Sequence, residues 1–218
     1  MDKTVSESIN PSDFLLNTVP VSSLFGLDRG KPIDRYYVEK FLDKKTKMVS
    51  NPNAVLEVGE DTYSRKYVGS QGTQYDILDY SEGMDLTIQD SLPDGKYDVF
   101  ICTQVFNFIY DVRKAIRGAY HLLRRGGVLL ATVAGNICQI SRYDMERHGD
   151  YWRFTDLSIR LLMEEVFGKD NVSVIPYGNS MAATAFIQGL AVEDIDVSLL
   201  DVNDPDYSIL IGVEARKL

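Results

Sequence analysis

Between residues 54 and 133 the chain alternates short apolar runs with longer helix-forming ones, and this alternation constrains its fold more than any other feature. AVLEVG, residues 54–59, is short, apolar and bounded by glycine, the pattern of a buried strand. TQYDILDY (73–80) reads as a second strand, DLTIQ (85–89) as a short third and YDVFICT (97–103) as a fourth. DVRKAIRGAYHLLRRGG (111–127) is the clearest helix. Asp111 can cap its start, and Val112, Ala115, Ile116, Ala119 and Leu123 form one apolar stripe. Arg124 and Arg125 suit its negative end, and Gly126 can stop it. VLLATV (128–133) is a fifth strand. Strands alternating with helices imply an α/β fold with a doubly wound, mostly parallel sheet.

The flanks extend the pattern. KPIDRYYVEKFLDKK, from Lys31, is a helix before the sheet, with Tyr36, Tyr37, Phe41 and Leu42 near helical spacing. Thr155 starts a second strong helix that Gly168 ends. NVSVIPY and YSILIGVEA are strands around the apolar segment MAATAFIQGLA and an acidic loop, and the long last connection allows an antiparallel final strand. Residues 1–30, polar and broken by Pro11 and Pro20, read as an arm or lid that Phe14, Leu15 and Leu16 pack down. Residues 31–218 form a single domain. The MAATAFIQGLA segment suits either a cover over a ligand or the face of a homo-oligomer.

Composition narrows the partners. The chain carries 23 Lys and Arg against 32 Asp and Glu, a net charge of −9, which disfavours nucleic acid held by counterion release. No apolar run is long enough to span a membrane, and the polar start lacks the basic end and apolar stretch of a signal peptide, so a cytoplasmic location is expected. Cys102 and Cys138 lack metal-ligand spacing and read as buried thiols; no metal site is expected.

In an open α/β sheet, ligands bind beyond the carboxyl ends of the strands. Those ends carry Glu57, Gly59, Glu60 and Asp61 on the first strand, Asp79 on the second, Asp90 after the third, and Thr103 and Gln104 on the fourth. An acid ending the second strand can accept both hydroxyls of a ribose, and an acid after the third can meet an adenine amino group. Asp76 competes with Asp79 for the first role. The pattern suits a nucleoside without a phosphate cradle, because the turn after the first strand lacks the second glycine that a pyrophosphate needs.

The motif order from about Pro32 to Leu218 resembles class I S-adenosylmethionine-dependent methyltransferases. VLEVGEDTY stands at their strand and glycine-rich turn, LDY at the ribose acid, QDSLPDGKYDVF at the adenine acid and fourth strand, and LLRRGGVLLATV at the helix and fifth strand. Of the usual E-x-G-x-G-x-G, only Gly59 of the three glycines remains. FGLDRGKPIDRYYVEKFL, SRYDMERHGDYWRFT and DPDYSILI are similar to a narrower bacterial group tied to glycan or secondary-metabolite assembly.

The resemblance implies a Rossmann-like fold and S-adenosylmethionine as cofactor, held by Glu57, Gly59, Asp61, Asp79 and Asp90. Thr103 and Gln104 then lie nearest the sulfonium, and Arg35 and Tyr36 cover the cofactor or reach the acceptor. It implies O-methylation of a sugar or glycan hydroxyl; alternatives are a small-molecule N- or O-methyltransferase, a non-catalytic cofactor binder and, more distantly, a nicotinamide oxidoreductase. SRYDMERHGDYWRFT, after the fifth strand, is the densest polar and aromatic cluster. His148, assisted by Asp144 or Asp150, is the expected catalytic base, with Asp144 or water as the competing proton acceptor. Trp152 and Thr155 read as anchors of that loop.

Overall fold

A computed structural model describes residues 17–69 and 71–218. The expected packing of Phe14, Leu15 and Leu16 lies outside the described residues. Helix α1 (Ile33–Thr46) precedes a sheet of β1 (Ala54–Val58), β2 (Gln74–Leu78), β3 (Tyr97–Thr103), β4 (Leu123–Ala134), β5 (Val172–Tyr177) and β6 (Leu210–Arg216). The other helices are α2 (Thr62–Tyr67), α3 (Val112–Leu122), α4 (Arg142–Arg147), α5 (Asp156–Phe167), α6 (Ser180–Ile187) and α7 (Val197–Leu200).

The strand order is β2-β1-β3-β4-β6-β5. β1 to β4 pair in parallel, and β6 runs antiparallel to both β4 and β5. This is the doubly wound sheet with an antiparallel last strand that the alternation implied. Successive side chains of a strand point to opposite faces, so β1 and β3 serve two cores. Leu56, Phe100 and Cys102 pack with α3 and α5, whereas Val55, Val99 and Ile101 pack with α1 and α6.

Two expected elements differ. DLTIQ is not a strand. Asp85 accepts from the backbone N–H and the hydroxyl of Thr87 (2.7 and 2.8 Å), and the Ser91 hydroxyl donates to the Ile88 carbonyl (2.7 Å), which bends the chain into a 3-10 turn at Gln89–Ser91. Local side-chain bonds thus replace the ladder, and β2 becomes the sheet edge. Helix α3 stops at Leu122 rather than Gly126. Arg124 turns back onto the Asp98 carboxylate, and Gly126, at φ +79°, donates its N–H to the Lys217 carbonyl (2.6 Å), so residues 123–127 already run in β4.

Two further features orient the site. Lys45, near the end of α1, bonds Glu214 of β6 at 2.7 Å, and Glu214 lies opposite Leu130 in mid-β4. Phe41, a turn earlier, packs on Gly212 opposite Thr132, so α1 runs back toward the carboxyl edge of the parallel strands and its first turn lies there. Residues 17–31 are fastened to the segment after α6. Ser22 N–H bonds the Gln188 carbonyl, Arg29 grips Asp194 through two bonds of 2.7 and 2.8 Å, and Lys31 N–H bonds Glu193. Ala182, Ala183, Ala185 and Phe186, from the segment expected to cover a ligand or a partner, are buried against the protein's own core. Among the described residues, no helix is long and apolar enough to cross a membrane.

Candidate active site

The turn after β1 is built on a buried carboxylate. Glu57 is 2% exposed and accepts the backbone N–H of Ser64 (2.7 Å) and Tyr63 (3.2 Å), fixing the start of α2. Burial raises its carboxyl above the usual range, against the pull of those N–H groups. Glu57 therefore shapes the turn, with both oxygens already engaged. Gly59 adopts φ +78°, which a side chain would strain, and nothing lies within 4 Å of where its Cβ would stand. The space above it is open. The acids that replace the usual glycines bond locally: Asp61 pairs with Arg65 at 2.6 Å, and Glu60 accepts from the Thr62 hydroxyl at 3.0 Å.

At the end of β2 the two competing acids separate. Asp76 is tied inside the strand by Lys96 (2.5 Å), the Tyr97 hydroxyl (2.9 Å) and Gln74. Asp79 follows the strand. Its Oδ1 accepts the hydroxyl and N–H of Ser81 at 2.7 and 2.8 Å, which hold the carboxyl below the usual range, and its Oδ2 makes no hydrogen bond among the described residues. Asp90 is exposed in the 3-10 turn Gln89–Ser91 and follows no strand.

β3 delivers Thr103 opposite Thr132 and then Gln104. Gln104 takes φ +57°, uncommon for a residue with a side chain, and is pinned by its N–H to the carbonyl and hydroxyl of Thr132 (2.8 and 3.2 Å). Its Oε1 is buried without a hydrogen-bond partner. An unpaired buried carbonyl costs on the order of 1 to 3 kcal/mol, so a strained residue carrying one marks a place where a donor is expected.

The remaining expected residues lie as follows. Tyr36 donates to Asp201 of the α7 end at 2.7 Å, beside Lys40; burial and that carboxylate push its hydroxyl up to about 12. Arg35 is exposed, and its charge favours the ionised forms of neighbouring Asp34 and of Tyr63 against the burial that raises both. His148 is exposed at the end of α4, where only its backbone bonds Asp144. Ser141 caps that helix by accepting the Asp144 N–H at 3.2 Å, and its hydroxyl donates to the Asp144 carboxylate at 2.5 Å. Asp150 is held by Arg153 at 2.6 and 2.8 Å and by Ser141 N–H; against opposing burial, these keep it below the usual range. The trio is not assembled around an imidazole. Instead Arg153 also bonds the carbonyls of Cys138 and Gln139, so Asp150 and Arg153 brace the loop after β4. Trp152 is an anchor, its Nε1 donating to the carbonyls of Ile109 and Tyr110, and Thr155 caps α5.

One carboxylate escaped the sequence reading. Asp34, in the first turn of α1, was legible only as a helix-start acid. Burial raises its carboxyl, it perturbs both Tyr63 of α2 and Cys138 of the loop after β4, and it has no ion-pair partner among the described residues. Its charge is therefore felt on α2 and on the loop after β4.

Residues 55–131 match the family model described as a methyltransferase domain. Together with the sheet order, this match gives a Rossmann-like fold of the methyltransferase kind, for which S-adenosylmethionine is the cofactor. The fold is similar to a methyltransferase from Archaeoglobus fulgidus, at 12% identity over 84% of this chain and 94% of that one (TM-score 0.53). It is similar to the CurJ carbon methyltransferase, at 16% identity over 83% of this chain (TM-score 0.51). The chain spans about half of that protein's length, 53%. A third likeness is to the 1,6-didemethyltoxoflavin-N1-methyltransferase of Burkholderia thailandensis, crystallised with S-adenosylhomocysteine, at 12% identity over 83% of this chain and 77% of that one (TM-score 0.51). No curated protein sequence matches the chain.

The residues present fit this cofactor. Gly59 leaves room above β1, Asp79 offers an unengaged oxygen for ribose hydroxyls, and Gln104 offers a buried acceptor for an ammonium or hydroxyl donor.

Proposed function

We propose that the protein transfers the methyl group of S-adenosylmethionine to a hydroxyl of a sugar, free or carried on a glycan or nucleotide. The observation that carries the cofactor side is the run of Gly59, Asp79 and Gln104 along adjacent strand ends: open space, an unengaged carboxylate oxygen and an unpartnered amide oxygen. In this reading Asp79 accepts from the ribose, Gln104 accepts from the cofactor's methionine end, and Glu57 and Asp61 support the turn. Arg35 stands ready for a carboxylate. The bound cofactor supplies the electrophilic methyl; the protein's residues align the acceptor and exclude water.

The acceptor class rests on the sequence resemblance and on aromatic surface beside the site. Tyr110 and Trp152 stack at 6.1 Å and border a groove completed by Phe154, Leu161 and Leu162, and Tyr151 meets Tyr110 edge-on. Exposed ring faces of this kind suit the apolar face of a sugar. A flat heteroaromatic acceptor suits them as well, which favours small-molecule N- or O-methylation as the second reading.

Calorimetry with S-adenosylhomocysteine tests the cofactor reading, and Asp79→Ala should weaken binding roughly tenfold to a hundredfold. Unchanged affinity in a folded variant removes Asp79 from the site. Labelled cofactor with a panel of sugar nucleotides and heteroaromatic amines separates the two acceptor readings by which compound gains the methyl group.

A further inference from the structure

We propose that the groove between α3 and α5 is an aglycone subsite, holding a neutral, apolar group attached to the sugar, so that the methyl acceptor is a glycoside of an apolar carrier and not a sugar nucleotide. This rests on the sugar-methylation reading above and narrows it. The groove has a volume of about 530 Å³, within the range of small-molecule pockets. Tyr110 and Trp152 form its mouth, and it runs along α5 past Leu161 and Leu162 to Glu165. Tyr110 is 72% exposed and Leu161 52%, and apolar side chains gathered along a concave surface mark a place where a ligand is expected.

Hydrogen bonds set this groove against the candidate site. The Gln104 N–H bonds the Thr132 carbonyl at 2.8 Å. Two residues further along β4, about 7 Å away, the Ala134 carbonyl accepts the N–H of Phe154 at 3.0 Å, and Phe154 lines the groove. On the other side, Trp152 Nε1 donates to the carbonyls of Ile109 and Tyr110 at 3.1 and 3.2 Å, and the N–H groups of Tyr151 and Trp152 bond the Asn107 carbonyl at 2.9 and 3.2 Å. The segment that carries Gln104 thus also carries the mouth of the groove.

The lining decides what the groove takes. Its charged side chains are all paired: Arg113 with Glu165 at 3.0 Å, Asp111 with Lys114 at 3.1 Å and Arg153 with Asp150 at 2.6 Å. Ser158 is engaged in the capping box of α5. These groups offer no free charge to a phosphate and no free partner to the hydroxyls of a sugar buried there, which would leave water without replacement. From Ser158 to Glu165 the groove follows about 10 Å of helix, far short of the surface of about 800 Å² per partner that a stable dimer buries. A neutral apolar group meets both conditions, and an aryl ring would also stack on Tyr110 and Trp152.

Trp152 is the only tryptophan of the chain, so its emission reports on the groove alone. In protein saturated with S-adenosylhomocysteine, phenyl β-glucoside should shift that emission to the blue and saturate, whereas methyl β-glucoside and uridine diphosphate glucose should leave it unchanged. Leu161→Arg, at an exposed position, should weaken phenyl β-glucoside by about tenfold or more with S-adenosylhomocysteine affinity within about threefold, and Leu161→Met should bind both as the wild type does. An equal response to uridine diphosphate glucose overturns the subsite, and so does the absence of a response to phenyl β-glucoside in protein that binds S-adenosylhomocysteine. A wild-type dimer in sedimentation that Leu161→Arg dissociates also overturns it, by making the groove a contact between copies. Failure of wild-type protein to bind S-adenosylhomocysteine would instead remove the methyltransferase reading itself.

Discussion

Gln104 holds a strained backbone and an unpaired carbonyl in one residue, so it is a place where stability and binding should oppose each other. Replacing it by glycine relaxes φ +57° and removes the orphaned oxygen. Gln104→Gly should therefore raise the free energy of unfolding by about 1 kcal/mol, roughly 2 to 4 °C in Tm, while weakening S-adenosylhomocysteine by about tenfold. A scanning calorimetry trace with a lower Tm would show that the amide is structural. The polar residues of the loop after β4 call for the reverse test. Asp150 neutralises a guanidinium that braces the loop, so Asp150→Ala should cost about 3 kcal/mol of stability in urea unfolding. His148, exposed at the end of α4, should tolerate alanine with turnover changed less than about threefold. The positions of Gly59, Asp79 and Gln104 were legible because strand ends can be read from apolar runs. The commitments of Asp150, Asp144 and Tyr36 were not, since a polar side chain shows no partner in sequence: Tyr36 bonds Asp201, 165 residues away.

At the scale of elements, apolar periodicity located the strands that are buried on both faces and the helices that cover them. β1, β3 and β4 are nearly continuous apolar runs because α3 and α5 cover one face and α1 and α6 the other. DLTIQ misled because its alternation is that of a strand, yet only Leu86 of it is buried and Asp85 bonds both Thr87 and Ser91 locally. The end of α3 misled because Arg124, Arg125 and Gly126 are ordinary helix-end chemistry, and only the fold brings Asp98 and Lys217 close enough to draw them into β4. Caps were more dependable, being local. Thr155 and Ser158 form a reciprocal capping box at the start of α5, which packs against β5 and α3. Thr155→Ala should cost about 1 kcal/mol, seen as a lower urea midpoint at unchanged slope, whereas Thr155→Asp should retain most of the stability. Equal loss in both variants would show that the threonine acts by packing and not as a cap.

Across the whole molecule the carboxylates divide into two groups that pull stability in opposite directions with pH. Against opposing burial, cations hold Glu39, Asp76, Asp150 and Glu214 below the usual carboxylate range, the Ala54 N–H together with Arg124 holds Asp98 there, and Asp194 is held chiefly by Arg29. A depressed folded-state pKa adds stability that is complete above the unfolded value, about 4, and is lost as pH falls through the folded one. Asp34 and Glu57 are raised by burial. Their folded forms bind protons more readily than the unfolded chain, so between the folded and unfolded pKa values acidification favours the fold. Titrating from neutral pH downward should therefore first raise the free energy of unfolding slightly, then reduce it steeply below about pH 4 as the paired acids protonate. The net charge of −9 adds its own relief of repulsion on acidification, so the comparison belongs in about 0.5 M salt, where exposed charges are screened. Under those conditions the double variant Asp34→Asn, Glu57→Gln should lose the initial rise and keep the acid collapse. A wild-type curve that falls monotonically from neutral pH, or a double variant that still shows the rise, would mean that these two acids are not the raised pair.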